Sequence, residues 1–388
     1  MKKHYPDIVD SYFGPKKIQA AVEASPAKLL EEISEDIGLA LEAIPETPPL
    51  KDLTLDYLRG QFGSLATFVA QEINLRHKGE PLYSYPDYAS RILQTTVKPI
   101  PEEFIMQQRE RAEQLLRVRY RTGSFEKQFH GFWDEDLIGG ESEAAQAEFM
   151  RVFKESIALY RQITAEHLLR IPQNDVPQIN DKYRGGAIAY IKYTEGEVLV
   201  NPLLARQRQR VKNLCKHEIW PGHWANYAMR AEHLKEHPLA NCFVFCTPES
   251  IPMEGLGEYA SDLIAPFLPP AERNHEDELL NDAISQWRSA VAHNATLLYF
   301  ERNKQRDPAE KYLSEVGLYD ERECRGFFGF RDSIFDTTYT LSYYYGYQLI
   351  KDSYKQAKAR GKEKDFLLFA YQNQLTPQMV RDWIRQME

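Results

Sequence analysis

The feature that most constrains the fold is a pair of histidines six residues apart. His217 and His223 enclose Pro221 and Gly222, and Glu218 follows the first histidine directly. On a regular helix, two residues six positions apart point roughly 120° away from each other. Proline cannot donate the helical hydrogen bond, and glycine adopts backbone angles that other residues resist. We therefore expect a bulge that distorts the helix here and brings the two imidazoles to one side.

This pattern is typical of a zinc site, in which three protein ligands leave a fourth position open for water. A carboxylate placed as Glu218 is, next to the ligand His217, can take a proton from that water. The third ligand has to come from another segment, and the stripe Glu254, Glu258 and Asp262 has helical spacing. It lies in an apolar stretch, where a glutamate needs a partner. The alternatives are two unrelated surface histidines beside a helix break, and a solvated acidic face.

Two motifs resemble the signature of a large bacterial family of unknown-function proteins, HExxPGH followed by EGxxxYA. Here they are HEIWPGH, starting at His217, and EGLGEYA, starting at Glu254. That family is distantly related to carboxypeptidase Taq-type and thermolysin-like (gluzincin) zinc peptidases. The resemblance implies that His217, His223 and Glu254 bind the metal and that Glu218 is the general base. Tyr343 falls on the tyrosine of the family's Tyr-x-x-Gly motif.

The chain departs from the family pattern at four positions. Trp224 and Asn226 replace a histidine and a glutamine, Leu256 replaces a tryptophan, and Glu258 stands at a commonly apolar position. None of these positions is a proposed ligand or the proposed base. The departures instead concern the pocket wall and the substrate preference.

The chain is predicted to be mainly α, a multi-helix zincin-like metallopeptidase fold with a small antiparallel β-sheet next to the active-site helix. Apolar residues recur at helical spacing in segments at 51–77, 102–121, 142–170, 276–304, 309–316, 329–360 and 376–386. Residues 187–200 are rich in β-formers around Glu195-Gly196, which predicts a hairpin. We expect an N-terminal helical part, 1–140, and a metal-binding catalytic part, 141–388, in one compact unit with a cleft between them.

Composition limits the partners and the compartment. The net charge of −9 argues against nucleic acid or an anionic membrane surface. No run of about 18 apolar residues is present, so we expect no membrane partner. The four cysteines form no CxxC pair, which favours a reducing compartment, and Cys215 is expected to be a buried structural thiol. The N-terminus has no apolar core of signal-peptide length. These features predict a cytoplasmic protein and leave the oligomeric state open.

The sequence thus predicts a zinc-dependent hydrolase of peptide or related amide bonds, a peptidase or carboxypeptidase acting on short peptides. His217, His223 and Glu254 would hold one Zn²⁺ per chain. Mn²⁺ or Co²⁺ fits the same ligands, because availability as well as affinity decides occupancy. Glu218 would act as general base. Tyr343 would help to stabilise the oxyanion.

A carboxypeptidase also needs a cation for the terminal carboxylate of its substrate. Arg184, Arg325 and Arg331 are the candidates. Two rival predictions remain open. One is a non-catalytic helical binding protein that retains the motif, and the other is a metal-dependent hydrolase of non-peptide amides or esters.

Overall fold

The computed structural model describes residues 9–12, 16–44, 53–184, 189–234, 242–244, 247–273, 275–302, 304–332 and 336–387. This part of the chain is mainly helical with small sheets, as predicted. Its α-helices are α1 Lys16–Ala24, α2 Leu30–Ala43, α3 Leu53–Lys78, α4 Tyr85–Leu93, α5 Glu102–Tyr120, α6 Phe125–Trp133, α7 Glu143–Ile163, α8 Arg208–Glu218, α9 His223–His233, α10 Ser250–Ile264, α11 His275–Glu301, α12 Arg306–Gly317, α13 Glu321–Arg331, α14 Asp336–Tyr339, α15 Ser342–Ala359, α16 Glu363–Gln372 and α17 Pro377–Arg385. Its strands are β1 Val9–Tyr12, β2 Leu137–Ile138, β3 Gln178–Asn180, β4 Ala189–Lys192, β5 Glu197–Val200, β6 Arg206–Gln207 and β7 Cys242–Val244.

The helical periodicity locates α3, α5, α11 and α17 to within a few residues. The single helix predicted over 329–360 is wrong, because α13, α14 and α15 occupy that stretch. Thr340 lies at the break between α14 and α15. A β-branched side chain loses rotamer freedom in a helix, so Thr340 favours an interruption there.

The chain forms two compact units, each assembled from separate segments. Unit 1 comprises Met1–Lys98, Asn226–Leu256 and Gly329–Glu388, and unit 2 comprises Pro99–Ala225 and Gly257–Phe328. Both units therefore use residues from both sides of position 140. The division into parts 1–140 and 141–388 stays a prediction.

In unit 1, α3 packs on α2, α4 and α17, while α15 packs on α16 and α17. Strands β1 and β7 pair antiparallel. The Ser64 hydroxyl of α3 donates to the Ile92 carbonyl of α4 at 2.8 Å, which satisfies a buried polar group at this contact. Its core includes the fully buried side chains of Phe68, Val69, Ile350 and Phe366.

In unit 2, α11 packs along α5 and α12, and α7 packs on α8. Ser142 caps the N-terminus of helix α7, since its side chain accepts a hydrogen bond from the Ala145 N–H. Its buried face includes Phe149, Phe153 and Tyr160, at spacings of four and seven residues that place them on one side of the helix. Burying each such aromatic side chain contributes about 2–3 kcal/mol. This face fixes the position of α8, which carries His217.

The predicted hairpin is confirmed over residues 189–200, whereas 185–188 lie outside the described residues. Strands β4 and β5 pair antiparallel from Ala189↔Val200 to Lys192↔Glu197. Gly196 closes the turn with φ of +73°, a conformation that favours glycine. The sheet is not purely antiparallel, because β3 pairs parallel with β5. Strand β4 also contacts α8, so the sheet lies beside the helix that the sequence predicted.

None of the described helices combines the length and the apolar character that a bilayer crossing requires.

Candidate metal centre

The segment between the two histidines forms a complete helix break. Helix α8 ends at Glu218 and α9 begins at His223, so the predicted bulge within one helix is replaced by two helices. The Ile219 and Trp220 N–H groups both donate to the Cys215 carbonyl, at 3.0 and 3.1 Å. The Trp220-Pro221 peptide bond is cis. The chain thus folds back on the last turn of α8.

Gly222 makes this fold-back possible. Its N–H donates to the Lys216 carbonyl at 2.9 Å, and a Cβ at this position would lie 1.6 Å from the His217 carbonyl oxygen. No other residue fits at that distance. The result is that the His217 and His223 rings meet edge to face, with centroids 4.6 Å apart. The two imidazoles therefore meet without the divergence of a regular helix.

Glu254 joins the two histidines. One ligand atom from each of His217, His223 and Glu254 lies within 4.8 Å of the others, and among the described residues this is the one cluster that could hold a metal. Glu254 and His223 are buried. Gly257, one turn along α10 from Glu254, would bring a Cβ to 2.8 Å from His217 Cε1. The glycine therefore provides the space that the imidazole occupies.

Glu258 orients the first histidine. Its Oε1 lies 3.2 Å from His217 Nδ1. A carboxylate on the second ring nitrogen is a common partner of a metal-binding histidine, because it fixes ring orientation and tautomer. Sequence reasoning missed this role and treated Glu258 as a departure from the family pattern. The four-residue spacing from Glu254 was the available signal.

A tyrosine binds the carboxylate of Glu254. The Tyr339 hydroxyl donates to Glu254 Oε1. Burial, followed by the charge of Glu254, raises the pKa of Tyr339 well above its usual value, so it remains a donor. Tyr343, the tyrosine that the sequence selected, lies next to Tyr339 with ring centroids 5.7 Å apart. Its catalytic role stays a prediction.

Two glycines set the distance between the helices that bear these groups. A Cβ on Gly255 of α10 would lie 2.3 Å from the Gly346 carbonyl, and a Cβ on Gly346 of α15 would lie 2.3 Å from the Ile251 carbonyl. The glycines of the EG and Tyr-x-x-Gly motifs therefore have a common physical role. They let the two backbones approach closely.

Glu218 is the last residue of α8 and is half-buried. Its role as general base stays a prediction. Cys215, on the same helix, is fully buried with Sγ 3.6 Å from the Phe153 carbonyl. Burial raises the pKa of this thiol well above its usual value, which supports the predicted structural role.

The departures at 224 and 226 are buried anchors. Trp224 Nε1 donates to Asp175 Oδ1 at 2.8 Å, and its ring packs edge to face on Tyr193 at 4.8 Å. Asn226 Oδ1 accepts from Arg230 Nη1 at 3.3 Å. These side chains hold α9 in place on the C-terminal side of His223.

A buried polar network follows along α9 in unit 1. Arg230 Nη2 lies 2.7 Å from Glu249 Oε1, and both side chains are almost fully buried. The Tyr57 hydroxyl donates to Glu249 Oε2 at 2.5 Å and accepts from Gln374 Nε2 at 3.2 Å. Sequence reasoning missed this network, because its members are far apart in the chain and belong to no motif.

The three arginines predicted to bind a substrate carboxylate have different surroundings. Arg184 is exposed and donates to the Asp181 and Tyr183 carbonyls. Arg325 is exposed and pairs with Glu321. Arg331 is buried. The first two therefore have local structural partners.

Comparison with known proteins gives a fold relationship. No family model matches the chain, and no curated protein matches it. A solved structure described as a putative lipoprotein from Colwellia psychrerythraea has 17% identity and a TM-score of 0.60, covering 90% of this chain and 66% of that one. A putative lipoprotein of unknown function from Shewanella oneidensis has 13% identity and a TM-score of 0.54, covering 92% and 73%. The chain thus spans just under two thirds of the first structure.

These findings contradict three predictions. The relationship to zinc peptidases is contradicted, because no family model or curated protein supports it. The predicted hydrolysis of peptide or related bonds is contradicted, because the similar structures are described as putative lipoproteins, one of them of unknown function. The cytoplasmic location is contradicted by the same descriptions. A short motif such as HExxPGH determines the local backbone geometry, but it determines neither the overall fold nor the reaction. A zincin-like fold is not shown.

Proposed function

We propose that this protein binds one divalent transition-metal ion, with Zn²⁺ as the first candidate, through His217, His223 and Glu254. The observation that carries the proposal is the approach of three ligand atoms from these residues to within 4.8 Å of one another. Two imidazoles and a carboxylate suit zinc, whereas calcium and magnesium prefer sites made of oxygen atoms. Mn²⁺ and Co²⁺ remain chemically suitable.

The surroundings of the three ligands support the proposal. Each of two ligands has a polar partner that orients it, Glu258 for His217 and Tyr339 for Glu254. Such partners favour one ring orientation and one carboxylate orientation before the metal arrives. Metal binding then needs little rearrangement.

An enzymatic role depends on this metal and is a separate proposal. Three protein ligands leave one coordination position open, whereas structural zinc sites are normally closed by four. A bound zinc ion would act as a Lewis acid, and the carboxylate of Glu218 would accept a proton. Glu218→Gln should leave the metal content unchanged and reduce any metal-dependent turnover by about 100-fold or more. Equal turnover in the variant would contradict the proposed base.

The decisive experiment measures metal by mass spectrometry in protein purified without a histidine tag. We expect about one zinc per chain in the native protein and a loss of stoichiometric zinc in His223→Ala. His167→Ala is the matched control, because His167 is exposed and stacks on Phe267 at 4.5 Å. The proposal would be overturned if the native protein contained no metal even after zinc is added back. It would also be overturned if His223→Ala contained as much zinc per chain as the native protein.

A further inference from the structure

Unit 2 contains a pocket of about 520 Å³ next to the end of α7. A π-helical turn, Thr164–Leu168, follows α7 and replaces the last turns of the helix predicted to reach residue 170. Such turns are frequent at functional sites. None of the three proposed metal ligands lines this pocket, which is formed by Arg161, Ala165, Arg170, Ile171, Gln173 and Asn174.

The lining carries two positive charges and no acidic residue. Within the described part of the chain, neither Arg161 nor Arg170 forms an ion pair with a carboxylate. Arg161 is held in place because its Nη2 donates to the Gln173 and Pro172 carbonyls, at 2.5 and 3.5 Å. The adjacent carboxylate, Asp175, accepts hydrogen bonds from Trp224 and Tyr193. In a chain of net charge −9, this pocket has the opposite sign.

Two buried donors beside the pocket have no acceptor among the described residues. They are Arg161 Nε and Trp220 Nε1. The two groups are neighbours, since the Arg161 guanidinium carbon lies 5.8 Å from the centre of the Trp220 ring. A buried donor without an acceptor costs about 1–3 kcal/mol. Of the two, only Arg161 lines the pocket, whereas Trp220 lies buried behind it.

We propose that this pocket binds a phosphate group carried by a small molecule. Two guanidinium groups match the double negative charge of a phosphate monoester, and arginine binds phosphate through several directed hydrogen bonds. The side-chain amides of Gln173 and Asn174 add donors. The pocket differs from the proposed metal site in its ligand, but Trp220 belongs to the loop that separates the two histidines.

The test is calorimetric titration of the native protein with inorganic phosphate, at ionic strength held constant with chloride. We expect saturable binding, weakened at least tenfold in Arg170→Gln through loss of one charged hydrogen-bond donor. Arg170 is exposed, so its replacement should not disturb folding. Arg325→Gln is the control, because Arg325 is also exposed and lies in unit 2 away from the pocket lining. It should bind phosphate like the native chain.

A second variant separates this pocket from the proposed metal site, where phosphate could bind zinc directly. His223→Ala should lose zinc and keep phosphate binding, whereas Arg170→Gln should keep zinc and lose phosphate binding. Absence of saturable binding by the native protein, or equal affinity in Arg170→Gln, would overturn the proposal. Loss of phosphate binding in His223→Ala would overturn it as well, because the anion would then be held by the metal.

Discussion

At the scale of single residues, the position of Glu258 in the structure gives it a role that its sequence context did not indicate, the orientation of His217. Helix α10 carries both Glu254, a proposed ligand, and Glu258, whose carboxylate lies 3.2 Å from His217 Nδ1. The two glutamates are one helical turn apart, so one rigid element supplies a ligand and orients another. A family pattern that expects an apolar residue at 258 conceals this pairing.

Replacement of Glu258 by alanine should therefore weaken zinc binding by about 10- to 100-fold, the usual effect of removing such a partner. At saturating zinc the stoichiometry should still be one, because the three ligands remain. Competition with a chromophoric chelator measures the affinity. Asp262→Asn, an exposed acid one turn further along α10, is the control and should bind zinc normally. Unchanged affinity in Glu258→Ala would exclude the orienting role.

The sequence was sufficient to select the three residues that the structure brings together, since His217, His223 and Glu254 lie in recognisable motifs. It was not sufficient to select their partners. Tyr339 and Tyr343 are four residues apart, so helical spacing places both on one face and cannot distinguish them. Tyr339 ends α14 and donates its hydrogen bond to Glu254 just before α15 begins, and the predicted continuous helix concealed this break.

At the scale of elements, apolar periodicity located long helices but did not locate their interruptions. The break between α8 and α9 depends on a backbone contact, because Gly222 packs against the His217 carbonyl. Proline and glycine marked the position, but the sequence favoured a bulge over a break. The π-helical turn after α7 has no comparable sequence marker.

Gly222→Ala should destabilise the protein by about 3 kcal/mol or more, because its Cβ would lie 1.6 Å from the His217 carbonyl oxygen and the backbone must move. Zinc content should fall as well, since the movement displaces His217 relative to His223. Gly131→Ala in α6 is the matched control, because a Cβ there meets nothing within 4 Å. It should raise stability by about 0.5–1 kcal/mol through helix propensity. Urea unfolding measures both; similar effects in the two variants would contradict the steric argument.

At the scale of the whole molecule, the sequence predicted a mainly helical chain but not how its segments associate. Each compact unit combines segments that are distant in sequence. Periodicity reports which face of a helix is buried and does not identify what covers that face. The same limit applies to charge. The composition gives the net charge of −9, but which charged side chains form ion pairs depends on the fold.

One such cluster, around Glu148, should make the stability of the chain sensitive to acid. Glu148 accepts hydrogen bonds from Arg151 at 2.8 Å and from Arg208 at 2.5 Å, which lowers its pKa from 4.5 to about 2. Because the folded pKa is below the unfolded one, the ionised carboxylate stabilises the folded protein above pH 4.5. That contribution is lost as the pH falls towards 2.

Glu148→Gln should therefore melt below the native protein at pH 7, and the difference should disappear as the pH approaches 2. The difference should be small, because the Glu148 side chain is 33% exposed and solvent screens the pair. Circular dichroism melts of metal-free protein across this range test the prediction, since chelation removes the separate effect of protonating metal ligands. Glu141→Gln, an exposed glutamate outside this cluster, should show no such convergence. A native–variant difference that stays constant from pH 7 to 2 would show that the arginines hold Glu148 through packing alone.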